Sequence, residues 1–152
     1  MKVACVFTAF CLVLVTASPL VKELASPCEV DTSCDKGDYD VTDLKITFSP
    51  DPPEKGKNVT ISATGTVNKE ITGGKIKVEA KYGIITVLNK AYEVCDLVKE
   101  IGKECPIPKG PLSGSATAEL PKDVPGGTYH VDIEGTDQDG KHMICVTAEC
   151  HV

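Results

Sequence analysis

Tryptophan is absent from this 152-residue chain, and phenylalanine occurs only at Phe7, Phe10 and Phe48. Two of those three fall in the N-terminal apolar stretch, so the folded body must be built from Val, Ile, Leu, Ala and a few Tyr. A poverty of large rings makes a ligand-filled interior easier to accommodate, although small aliphatic side chains also pack densely. Basic runs are missing too. The formal net charge is -6 and the pI about 5.0, and no Lys/Arg-rich segment or basic stripe supplies the footprint of a nucleic-acid binder. No Cys-x-x-Cys pair exists, which argues against a structural zinc site. Beyond the N-terminus no apolar run reaches spanning length. Charged residues at 25% and hydrophobic ones at 41% describe a globular chain, with a length that suits one domain.

Catalytic patterns are equally scarce. Leu112-Ser113-Gly114-Ser115 lacks the leading Gly of a nucleophile elbow. There is no Gly-rich phosphate loop and no His-Glu-x-x-His. His130 falls on the polar parity of its segment, His142 follows a turn and His151 is penultimate. Asp137-Gln138-Asp139-Gly140 resembles the start of a calcium loop, but the position that would carry the closing Glu is Ala148. The Asp31, Asp35, Asp38, Asp40 and Asp43 cluster reads as a solvated face. No enzyme, cofactor or metal site is expected.

What is present begins with a leader. Lys2, the apolar run from Val3 to Val15 and the small residues Val15-Thr16-Ala17 fit a secretory signal. Residues 1–18 are therefore read as the signal and 19–152 as one domain. Cys5 and Cys11 leave with the signal. The six that remain, Cys28, Cys34, Cys95, Cys105, Cys145 and Cys150, imply disulfides in an oxidising compartment, with about fifteen pairings open.

Period-two alternation marks strands. Lys75 to Tyr82 alternates charged and apolar without a break, and Asn58–Thr64, Tyr129–Glu134 and Leu44–Phe48 do the same. Ala116–Leu120 is weaker. Gly83–Leu88 and Met143–Ala148 are apolar runs read as strands covered on both sides. Turns fall at Ser49-Pro50-Asp51-Pro52-Pro53, Gly73-Gly74, Pro125-Gly126-Gly127 and Asp139-Gly140. About seven short strands so punctuated indicate an all-β, immunoglobulin-like β-sandwich of two sheets. Val94, Leu97, Val98 and Ile101 break the period and favour a short helix stopped by Gly102. Asn58-Val59-Thr60 is a glycosylation sequon, and Asn58 takes solvent-facing parity if Val59 and Ile61 point inward.

These segments, in this order, resemble the ML lipid-recognition domain, in the branch of phosphatidylglycerol/phosphatidylinositol transfer proteins. The likeness runs from Cys34 through Phe48-Ser49-Pro50-Asp51-Pro52-Pro53, Asn58-Val59-Thr60-Ile61, Val78-Glu79-Ala80-Lys81-Tyr82-Gly83 and Cys95-Asp96. It continues through Cys105-Pro106-Ile107-Pro108-Lys109-Gly110 and Leu120-Pro121-Lys122-Asp123-Val124-Pro125-Gly126-Gly127 to Ile144-Cys145. The resemblance implies a lipid cavity between the sheets and two disulfides, Cys34–Cys145 and Cys95–Cys105. Cys28 and Cys150 lie just outside the first bridge and are expected to pair, which the family pattern does not itself supply. By the likeness, Val87, Leu88, Lys122, Val124 and Pro125 sit at the cavity entrance, where Lys122 is a candidate partner for an anionic phosphate. Inward parity nominates Leu44, Ile46, Phe48, Val59, Ile61, Ile76, Val78, Tyr82, Val131, Ile133, Ile144 and Val146 as lining.

The expected function is to bind a phospholipid or sterol and transfer it between membranes, with transient membrane-surface contact, as a monomer secreted or held in a lysosomal or vacuolar lumen. The alternative is a secreted interaction or lipid-sensing module without transfer activity.

Overall fold

Alternating side chains can satisfy two environments only if the backbone is extended, and the alternating segments form strands throughout a computed structural model. It describes residues 27–32, 34 and 37–152; the expected signal, with Cys5 and Cys11, lies outside the described residues. In chain order the elements are β1 (Glu29–Asp31), β2 (Val41–Ser49), β3 (Asn58–Val67), β4 (Gly74–Tyr82), β5 (Ile85–Glu93), α1 (Val94–Glu100), β6 (Gly110–Glu119), β7 (Thr128–Asp137) and β8 (His142–His151). Eight strands appear where about seven were expected, because the three-residue β1 is too short to display a period.

The strands form two antiparallel sheets, β1-β8-β7-β4-β5 and β2-β3-β6. Register fixes which side chains share a face. In the wide sheet, Ile76 stands opposite Gly135, Val78 opposite Ile133 and Ala80 opposite Val131. On the next strand Ile133 meets Val146 and Val131 meets Ala148. In the narrow sheet Phe48 lies opposite Ile61 and Ile61 opposite Ala116. The apolar sets of the two sheets face each other.

The interior is solid at one end. Val41, Val67, Ile71, Val94, Val98, Ile107 and Met143 form a buried cluster, with Leu44, Ile76, Leu112 and Ile144 packed against it. Helix α1 contributes Val94 and Val98, as its three-to-four spacing predicted. Ile101, just past its end, presses on β6: a Cβ on Gly114 would lie 2.5 Å from the Ile101 Cδ1. Only glycine permits that approach.

Three disulfides tie the body together. Cys95–Cys105 clips the helix loop, Cys34–Cys145 joins the segment before β2 to β8, and Cys28–Cys150 fastens β1 to β8 one register step beyond Glu29 and Glu149.

A polar clamp seals the solid end. Lys69, just past β3, donates to Asp137 at 2.5 Å and to Asp139 at 2.6 Å, bridging the two sheets. The Asp137 carboxylate is fully buried and also accepts the backbone N–H groups of Asp139 (2.9 Å) and Lys141 (2.8 Å). Burial alone would raise its pKa. Lys69 and the backbone donors outweigh that, holding the carboxyl well below the usual carboxylate range. The same hydrogen bonds hold the Lys69 ammonium above the ordinary lysine range. Burial, then the neighbouring Asp137 carboxylate, pushes Asp40 up. Its Oδ2 is buried with no hydrogen-bond partner among the described residues.

Asp137→Asn removes charge-assisted bonds, so it is expected to cost about 1.5–3 kcal/mol at pH 7 in urea melts. A carboxyl with a depressed folded pKa contributes stability above its unfolded value, about 3.9, and loses it as pH falls towards the folded one. The gap between wild type and variant should therefore narrow from pH 7 to about pH 2.5. A gap that is constant with pH contradicts the clamp.

Candidate functional site

The two sheets differ in width. Adjacent strands lie about 4.8 Å apart, so a five-stranded sheet facing a three-stranded one leaves roughly 10 Å of inner surface without an opposing strand. Helix α1 and the 101–109 segment cover that surplus only at the solid end. Towards the 120–127 loop, the inward residues Ile46, Phe48, Val78, Val131 and Ile133 are only half-buried. Ile61 sits mid-strand on the central strand of the narrow sheet, on inward parity, yet 38% of it is accessible. An inward side chain at that location stays accessible only if the space before it is open.

The lining nominated by parity divides accordingly. Leu44, Ile76 and Ile144 pack against the solid cluster. Val59 and Val146 are buried. Ile46, Phe48, Ile61, Val78, Val131 and Ile133 border the open half. Across it β6 presents Ala116 and Ala118 on inward parity, neither larger than a methyl group.

Tyr82 and Tyr129 mark the far end of this space. They are directly opposite in register, with ring centroids 5.1 Å apart. The Tyr82 hydroxyl donates to the Gly126 carbonyl at 3.0 Å and the Tyr129 hydroxyl to that of Pro125 at 2.9 Å. Gly127 has φ 144°, and a Cβ there would meet the Tyr82 ring at 2.8 Å, so the pair and the loop fit only with glycine. Burial, then the neighbouring Tyr82, pushes the Tyr129 phenol up, keeping it a neutral donor.

The expected entrance residues scatter. Leu88 lies on β5 opposite Ala80, on inward parity. Val87 is the extra residue of a bulge and is 54% exposed. Val124 and Pro125 belong to the 120–127 loop, half-buried and exposed. The alkyl stem of Lys122 lies over Gly56, where a Cβ would sit 2.5 Å from its Cγ. Gly56 in turn donates to the Leu120 carbonyl at 2.7 Å. Lys122 thus borders the β2–β3 turn, on the narrow sheet and away from β5. The β4–β5 turn carries the most exposed apolar residues, the fully exposed Ile84 and the 60% exposed Ile85.

Charge is sorted to the outer face of the wide sheet. There Lys81 bonds Glu79 at 2.8 Å and Lys77 lies 3.7 Å from it. These contacts lower Glu79 and raise Lys81. A cleft of about 320 Å³ runs over Lys77, Glu79, Asp132 and Glu134, a solvated surface separate from the apolar interior. Among the described residues no group of His, Cys, Asp or Glu has the makings of a metal site.

The family model of the ML domain matches residues 29–152. The chain belongs to the ML domain family. Its relatives include a phosphatidylglycerol/phosphatidylinositol transfer protein of Neurospora crassa, 39% identical over 119 residues, covering 78% of this chain and 67% of that protein. A Dictyostelium discoideum protein provisionally given the same name is 31% identical over 140 residues, covering 92% and 94%. Among solved structures, a Niemann-Pick type C2 protein from the Japanese carpenter ant superposes with a TM-score of 0.56 at 16% identity, over 84% of this chain and 98% of that one. Chicken MD-1, complexed with lipid IVa, gives 0.54 at 18%, over 80% and 95%. These likenesses establish the β-sandwich fold, and three disulfides in an ML domain fit an extracellular or lumenal protein.

Open and filled halves respond differently to added bulk. Ala116→Phe should leave the melting temperature within a few degrees of wild type, its ring entering the open half. Val67→Phe, in the solid half, should cost about 1–3 kcal/mol through overpacking. Equal destabilisation by the two in thermal melts would mean the interior is filled throughout.

Proposed function

We propose that this chain is a lipid carrier that takes the acyl chains of a phospholipid into the open half of its sandwich and transfers the molecule between membranes. The observation that carries the reading is the accessible, inward-facing Ile61 in a sandwich of unequal sheets. Membership of the ML family, with relatives named as phosphatidylglycerol/phosphatidylinositol transfer proteins, directs it to glycerophospholipids. Ile46, Phe48, Ile61, Val78, Val131 and Ile133 line the space, with Tyr82 at its end.

Burial from water favours an acyl chain by about 0.8 kcal/mol per CH₂, roughly 13 kcal/mol for a sixteen-carbon chain. A bilayer offers the same gain. A carrier therefore needs only to match the bilayer, and smooth aliphatic walls without directed bonds do so while permitting release.

Exchange requires the protein to touch the membrane. The exposed Ile84-Ile85 turn, at the end of the edge strand that borders the open half, is the contact element. Residues 1–18 act as the secretory signal, residues 19–152 are the carrier, and the protein works as a monomer in the secretory lumen or outside the cell. Asn58, exposed at the start of β3 and on the outer parity, carries the glycan.

Two measurements test the proposal. Mass spectrometry of purified mature protein should find co-purifying phospholipid near one to one. Ile84→Asp/Ile85→Asp should slow transfer of labelled phosphatidylglycerol between vesicles by on the order of tenfold, the equivalent of losing a modest apolar contact, without lowering the melting temperature. Protein free of lipid and inactive in transfer overturns the reading.

A further inference from the structure

The β5 bulge at Val87 reverses the parity of the strand beyond it. Before the bulge, Ile85 stands opposite the inward Tyr82. After it, Leu88, Lys90 and Tyr92 stand opposite Ala80, Val78 and Ile76. Lys90 therefore takes the inward parity of an edge strand, between an aliphatic and an aromatic residue. Among the described residues it is the one charged side chain on inward parity along the open half of the interior. The acidic residues of the surrounding strands, Glu79, Glu93, Asp132 and Glu134, occupy the opposite face with Lys75, Lys77 and Lys81. Lys90 makes no hydrogen bond or ion pair with any described residue.

Resting on the carrier reading, we infer that Lys90 selects an anionic headgroup at the lip of the interior. A lysine there lays its alkyl stem along the apolar wall and carries its ammonium to the rim. The rim is where the phosphate of a glycerophospholipid stops when its acyl chains have entered. The chain contains no arginine, so recognition rests on a point charge and not on a bidentate fork. Point-charge recognition reads net charge: phosphatidylglycerol and phosphatidylinositol are taken alike, and zwitterionic phosphatidylcholine is disfavoured. Lys122, held over Gly56, is not needed for this contact.

An inward-pointing lysine on an edge strand has a second physical use, blocking edge-to-edge association, and the experiment separates the two. Full-length mature protein is equilibrated with vesicles of equal phosphatidylglycerol and phosphatidylcholine bearing the same acyl chains, and the bound lipids are quantified by mass spectrometry. Wild type should be enriched in phosphatidylglycerol. Lys90→Met, which keeps the stem, should lower the enrichment about tenfold, the scale of one charge-assisted contact, with total bound lipid unchanged. Lys90→Arg should retain it, as should Lys45→Met on the outer face of β2. A phosphatidylglycerol preference that survives Lys90→Met, with or without aggregation of the variant, overturns the inference and leaves the edge-guard role. So does wild type that binds lipid without preference. Wild type that binds no lipid overturns the carrier reading and this inference with it.

Discussion

A sandwich whose layers have five and three strands cannot close over its own interior, and this inequality governs the rest of the molecule. Inner surface on the wide sheet must meet something other than a strand. At one end a helix and a clipped loop supply the cover, and there the side chains reach the burial of an ordinary core. At the other end no regular element among the described residues does so, and Ile61 keeps its accessibility in the middle of a sheet. Small residues on β6 deepen the gap, since Ala116 and Ala118 leave volume that larger side chains would fill.

A partly hollow domain forgoes cross-sheet packing and has to recover stability elsewhere. The solid end combines buried Val, Ile and Met with a clamp in which Lys69 and two backbone amides converge on one buried carboxylate. Three covalent bridges add to the stability of the domain, each contributing about 2–4 kcal/mol, one of them, Cys28–Cys150, beside Tyr129 at the open end. The buried cluster and the clamp thus lie apart from the open half, which stays apolar and, on the carrier reading, free for a guest.

Much of this was legible from alternation. Lys75 to Tyr82, Asn58 to Thr64, Tyr129 to Glu134 and Leu44 to Phe48 became strands β4, β3, β7 and β2, and Val94, Leu97, Val98 and Ile101 announced α1. The failures have local causes. Gly83 to Leu88 reads as a strand covered on both faces because an apolar run has no period. It is in fact a turn and the start of an exposed edge strand. Lys90 escaped notice because strict alternation from Ile85 would place Val87, Asn89 and Ala91 inside, and one bulged residue inverts that assignment. Asp137 read as part of a hairpin turn, since its partner Lys69 lies 68 residues away and no local pattern reveals such a pairing. Parity nominated a lining but could not divide solid from open. That division depends on sheet width, which is a property of topology.

The covalent bridges are unevenly distributed. Two of them end on β8, and the third clips the loop that follows β5. None reaches the β4–β5 turn. The tip of the hairpin is held by non-covalent contacts alone, the pairing of β4 with β7 and the Tyr82 hydrogen bond to Gly126, so displacement there strains no sulfur bridge. On the carrier reading, that is the end of the molecule where guests of different girth would be fitted, while the stapled edge keeps its shape.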